Sequence, residues 1–148
     1  MTGLGDLYQE MILDHNRSPQ NYGSLSDPDR VSHGDNPLCG DRVAVFLKMN
    51  GDVIEEIRFK GIGCAISTAS ASLMTASVKG RTRGDATRTM ELFHSMVTEE
   101  GDVDLEALGK LAAFSGVRDY PVRVKCATLA WHTLRVAMSG EGTTVTTE

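Results

Sequence analysis

The dipeptide Asn50-Gly51, set between two strand-like runs, constrains this chain more than any other short feature. A type I′ hairpin turn needs positive φ at both central positions, and Asn-Gly meets that demand best. Before it, Val43, Val45, Leu47 and Met49 alternate with Arg42, Ala44, Phe46 and Lys48, the period of a two-faced strand. After it, residues 53–60 return with Ile57 and Phe59 among charged neighbours. The adjacent Glu55 and Glu56 disturb the alternation and predict a bulge. A short strand over residues 30–35, ended by Asn36-Pro37, completes an antiparallel meander.

The rest of the chain reads as helix and loop. Leu4, Leu7, Tyr8, Met11 and Ile12 recur at helical spacing, and Pro19 closes that helix. His15 stands at its C-terminal end, where a protonated imidazole would meet the negative end of the dipole. Residues 21–29 are loop-like. Gly61-Ile62-Gly63 ends the sheet and releases a small-residue helix from Cys64 to about residue 78. A linker over 79–85 leads, with Asp85 as expected N-cap, into a helix through Leu92, Phe93 and Met96. Gly101-Asp102 breaks it, and residues 104–114 form another helix with Leu105, Leu108, Leu111 and Ala112 inward. Pro121 is read as a barrier, so the last helix is expected to run from Cys126 to Met138. The fold class is therefore α+β, a small three-stranded antiparallel sheet packed against several helices. Residues 1–138 are expected to form a single domain, and 139–148, rich in Gly, Thr and Glu, a disordered tail.

Three cysteines among 148 residues cannot all pair within the chain. No signal peptide precedes them and no apolar run approaches the ~18 residues of a membrane span, so a reducing, cytoplasmic setting is expected. Cysteines there serve metals or catalysis more often than disulfides. A net charge of −5 argues against a general nucleic-acid surface.

Each cysteine has a suggestive setting. Cys39 lies in Leu38-Cys39-Gly40-Asp41-Arg42, a glycine-freed loop with a carboxylate two residues on. Cys64 and Cys126 are expected at helix starts, where unpaired N–H groups favour an anionic sulfur. Three sulfurs and the Asp41 carboxylate would suit a tetrahedral zinc ion, and the same set could carry an iron–sulfur cluster. Against this, no Cys-x-x-Cys pair is present, and free cysteines are often plain core residues. Both readings stand on spacing alone. Arg123 and Lys125, beside Cys126, would stabilise an anionic sulfur or meet an acidic partner, or else simply be solvated. His33 and His94 are read as surface residues, and His132 as too far around its helix from Cys126 to share a ligand.

At these residues a resemblance emerges. Cys39-Gly40-Asp41, the run from Gly61 to Ser67 and the run from Lys125 to Trp131 resemble the IscU/NifU-like family of iron–sulfur assembly proteins. The likeness spans about residues 5–138, including the stretch from Leu7-Tyr8 to Asn21-Tyr22-Gly23. It implies an α+β fold and a metal or cluster site at Cys39, Asp41, Cys64 and Cys126. Lys125 stands where IscU-type scaffolds carry histidine, residues 79–101 look like an insertion, and the Leu-Pro-Pro-Val-Lys chaperone motif is missing. These departures point to the SufU branch.

That resemblance implies a zinc-dependent sulfur acceptor, partnered by a SufS-like cysteine desulfurase and serving downstream cluster-assembly proteins. No nucleic acid or membrane is implied. Cys39, on its loop, would leave the metal and take persulfide sulfur from the enzyme, while the cysteines on helices hold. Other readings remain open at this level: a scaffold that assembles a transient [2Fe–2S] cluster on the same ligands, a module with purely structural zinc, or three buried thiols. Whether the protein counts as an enzyme, with sulfurtransferase-like activity, depends on the choice among them.

Overall fold

In a computed structural model of the chain, residues 4–37, 40–98, 103–140 and 144–146 are described. Helix α1 (Leu4–Arg17) leads through a loop to strands β1 (Arg30–Asn36), β2 (Asp41–Asn50) and β3 (Val53–Ile62). Helices α2 (Ala65–Val78), α3 (Arg83–Thr98) and α4 (Leu105–Leu108), then 3₁₀ turns over Gly109–Asp119, precede the long α5 (Pro121–Ser139). A short strand β4 (Thr144–Thr146) follows. The expected α+β class and antiparallel meander are borne out.

Strand order is β3-β2-β1-β4, with β4 parallel to β1. Within the stretch 139–148, expected to lack order, Thr144–Thr146 thus runs beside His33–Asp35. The hairpin turns at Gly51-Asp52, one residue past the expected pair, since Asn50 still pairs with Val53. Of Asn50 and Gly51 only Gly51 takes positive φ, at 62, so the turn is not the expected type I′. Lys48 pairs with Glu56 and Met49 with Ile54, so Glu55 is the extra residue of the expected bulge.

Alternation decides the sheet's two faces. Val43, Val45 and Leu47 point inward, where they join Leu129, Leu134, Trp131, Phe93 and Phe114 in one apolar core. α5 crosses β1 so closely that a Cβ at Gly34 would collide with Thr133 Oγ1 and press on Leu129. Small residues let α2 pack beside α5. Ser70 Oγ donates to Ala127 O at 2.6 Å and accepts from Trp131 Nε1 at 3.2 Å.

Several boundaries differ from expectation. Thr82, not Asp85, caps α3, its Oγ1 accepting from Asp85 N at 3.1 Å. The helix expected over 104–114 is short. Gly109, at φ 58, stops it and the chain continues in 3₁₀ turns that bury Leu111 and Phe114, leaving Leu105 exposed. The break expected at Gly101-Asp102 lies outside the described residues. His15 is buried, with Nδ1 2.7 Å from Ser72 Oγ. Burial, with Lys110 adding to it against Asp14, holds its pKa below the ordinary 6.5. Burial thus favours its neutral form and its contact is with Ser72, rather than the charged partnership with a helix dipole that was expected.

Candidate metal centre

The hairpin creates the site. Because Arg42 pairs with Ile62, the start of β2 and the end of β3 lie side by side, far from the Gly51-Asp52 turn. Asp41 opens β2, and Gly63-Cys64 follow β3. Asp41 is wholly buried, yet its Oδ1 accepts from Cys64 N at 2.9 Å, and its Oδ2 stands 3.9 Å from Cys64 Sγ. Cys64 is the N-cap of α2, its Sγ accepting from Ser67 N at 3.4 Å. The expectation of Cys64 at a helix start holds, and its sulfur meets two features that suit an anion, an amide and a helix N-terminus.

Cys126 comes from the other side of the core. It was expected at a helix start, but α5 begins at Pro121, which puts Cys126 on the second turn. Proline at the first position lacks an N–H that no partner would have satisfied, so it opens a helix as readily as it stops one. Tyr120 precedes it with no side-chain cap. Cys126 is buried while Cys64 is exposed, so the cluster is closed on one side and open on the other.

One ligand atom each from Asp41, Cys64 and Cys126 lies within 4.8 Å of the others. Bond lengths of about 2.0–2.3 Å place the ligands of one tetrahedral ion on the order of 3.5–4 Å apart. The three atoms therefore need only a small contraction to share a metal, and a carboxylate with thiolates is a donor set that zinc accepts. Cys39 lies outside the described residues. The ends of its loop are fixed: Gly40, at φ 73, donates its N–H to Asn36 O at 2.8 Å, and Asp41 follows directly.

The other sequence candidates fall around this centre. Arg123 sits one turn before Cys126 on the same flank of α5, its guanidinium stacked 4.7 Å from the Tyr120 ring centre. Lys125 is half-buried beside Cys126. No histidine joins the cluster among the described residues. His132 lies instead against His94, ring centres 6.0 Å apart, and burial, then electrostatic repulsion from His94 and Arg135, lower its pKa. Residue-by-residue reading did not single out Gly63 or Ser67. A Cβ at Gly63 would stand 2.9 Å from Asp41 Oδ1, and Ser67 supplies the amide to Cys64 Sγ. The spacing of Cys64 and Ser67, that of an N-cap and its N3 residue, was the available signal.

The profile of the family described as "NifU-like N terminal domain" matches residues 7–127. The chain belongs to that family. As a NifU-like domain it is 40% identical over 138 residues to the zinc-dependent sulfurtransferase SufU of Bacillus subtilis, covering 93% of both chains. It is 37% identical over 138 residues to the iron–sulfur cluster assembly scaffold protein IscU of Streptococcus pyogenes, covering 93% of this chain and 86% of that one. A crystal structure of a candidate iron–sulfur cluster assembly scaffold of the SUF system from Fervidobacterium islandicum superposes with a TM-score of 0.83 at 35% identity. That match covers 92% of this chain and 99% of the other. The NifU-like domain has no described helix long and apolar enough to cross a membrane.

Proposed function

We propose that this NifU-like domain is a zinc-dependent sulfur acceptor in iron–sulfur cluster assembly, loaded by a cysteine desulfurase. The observation that carries the reading is the convergence of Asp41, Cys64 and Cys126 to within 4.8 Å, from a strand start and two separate helices. Cys39 is the fourth ligand in this reading, two residues ahead of Asp41. Bound zinc would keep the sulfurs ionised, and a thiolate is the nucleophile in sulfur exchange. The likeness to the SufU of Bacillus subtilis supports zinc, and Lys125 beside Cys126 agrees with that branch.

The residues divide the work. Cys64 is anchored by its cap to Ser67 and Cys126 by its place within α5, so neither can move far without unwinding a helix. Cys39, between Pro37 and Gly40 in the sequence and two residues ahead of Asp41, is the acceptor. Its thiolate attacks the outer sulfur of the desulfurase persulfide. A new S–S bond forms, the enzyme's own S–S bond breaks, and its cysteine departs as thiolate, leaving Cys39 as the persulfide. Arg123 and Lys125 supply positive charge on the partner-facing rim. Downstream cluster-assembly proteins then take the sulfur.

Desulfurase turnover with cysteine tests this. Wild-type protein should stimulate it, and Cys39→Ala should abolish the stimulation; equal stimulation by the variant would end the acceptor role. The same donor set suits a transient [2Fe–2S] cluster, and the likeness to IscU scaffolds favours that second reading. Anaerobic reconstitution separates them: a stable, transferable cluster on metal-free protein supports the scaffold, while zinc that iron cannot displace supports transfer.

A further inference from the structure

We infer that the open half of the sheet's outer face is a docking groove for an acidic, apolar-tipped segment of the protein that delivers the sulfur. The inference rests on the transfer reading above and adds where, and by what chemistry, the donor is held. Helices cover the sheet's inner face. On the outer face, residues 24–29 cross the half nearer the Gly51-Asp52 turn. Gly23 N donates to Phe59 O on β3 at 2.7 Å, and Asp29 N donates to Leu47 O on β2 at 2.8 Å. Lys48 Nζ lies 3.9 Å from Asp27 on the way. Outward-facing Phe46 is only 8% exposed. The half nearer Asp41 carries no such cover and holds a groove of about 510 Å³.

The groove has an apolar floor at Ala44, between His33 and Lys60 in the register, with the backbones of Gly34 and Gly61 one position on. One wall is Tyr22, fixed edge-on to Phe59 at 5.2 Å with its hydroxyl donating to Gly61 O at 3.1 Å. A lip is formed by Ile62, 76% exposed, two residues before Cys64. Tyr22, Ala44 and Ile62 line one continuous groove, and a contiguous apolar patch rimmed by polar residues marks a surface that meets a partner. The charges on the rim give that partner's sign. Arg42 and Lys60 stand against one carboxylate, Asp35, which lies 3.6 Å from Arg42. Lys60 makes no ion pair among the described residues and lies 5.7 Å over the Phe46 ring. A chain of net charge −5 thus presents a local positive excess here, with Arg42 directly after Asp41 and Ile62 two residues before Cys64 in the chain. Complementary charge steers such encounters and fixes their register.

Binding to the desulfurase, by anisotropy of a labelled protein, and stimulation of its turnover are measured together. Lys60→Glu and Ile62→Ser are compared with Arg88→Glu, a charge reversal on exposed α3. The groove variants should each raise the half-saturating concentration about tenfold, with maximal stimulation unchanged. The deficit of Lys60→Glu should shrink as salt rises toward ~0.5 M. Zinc content and Arg88→Glu should match wild type. Unchanged binding in both groove variants, an equal loss in Arg88→Glu, or no binding by wild type would overturn the groove. So would light scattering that shows a dimer dispersed by Ile62→Ser, since the occupant would then be a second copy. Groove-dependent binding without stimulation would retain the groove and sink the transfer reading.

Discussion

Asp41 and Cys64 are tied to each other before any metal arrives. The amide of Cys64 holds Asp41 Oδ1 at 2.9 Å, which leaves Oδ2 toward the sulfurs. Gly63 makes that grip possible, because a Cβ there would stand 2.9 Å from Oδ1 and 3.2 Å from Ser67. We therefore expect Gly63→Ala to displace the carboxylate and weaken metal affinity on the order of 10- to 100-fold, as loss of supporting contacts does elsewhere. Competition with a chromophoric chelator measures it, and wild-type affinity would show that Asp41 needs no such clearance. Asp41 and Cys64 drew notice in the sequence because they stand beside glycines, yet spacing alone left plain core thiols equally open. Their supports were less legible, since a backbone amide that caps a sulfur leaves no mark in composition.

Hydrogen bonds through small polar side chains join the elements. Ser70 links α2 to α5 by donating to Ala127 O and accepting from Trp131 Nε1, while Trp131 stacks on Phe93 of α3 at 4.9 Å. Ser70→Ala leaves the buried indole N–H without that partner and should cost about 1–3 kcal/mol in urea unfolding. His15 ties α1 to α2: Ser72 Oγ accepts from Gln20 N at 2.8 Å and is hydrogen-bonded to His15 Nδ1 at 2.7 Å. Because the folded pKa values of His15 and His132 are lowered below 6.5, the unfolded chain binds protons there that the folded chain refuses. Stability from these groups is complete above pH 6.5 and falls as pH drops below it. Melting temperatures at pH 7.5 and 5.5 should differ by a few degrees more in wild type than in His15→Asn/His132→Asn; equal differences would contradict it. The hairpin and its bulge were legible because alternation reports backbone directly, although the turn itself sits on Gly51-Asp52, one residue past the expected pair. The start of α5 was not. Proline opens or ends a helix depending on what precedes it, and the sequence near Tyr120 shows no cap to decide. The preference of His15 for its neutral form likewise follows from burial by distant elements, which local reading cannot see.

At the scale of the whole molecule, the sheet works as a spacer and the helices as anchors. The hairpin brings Asp41 and Cys64 together across 23 positions, and α5, packed along the inner face, carries Cys126 to the same end. The site lies where one strand begins, another ends and a buried helix passes. The sequence order of the three cysteines could not reveal that convergence without the fold. The central claim is a single metal centre shared by these distant residues. Zinc analysis of freshly purified protein beside Cys64→Ser tests it most directly. Serine keeps the α2 cap, with Oγ in place of Sγ toward Ser67 N, but removes one sulfur from the centre. The account predicts about one zinc per chain in the wild type and a clear loss in the folded variant. Little zinc in the wild type, or the same zinc in both, would contradict it.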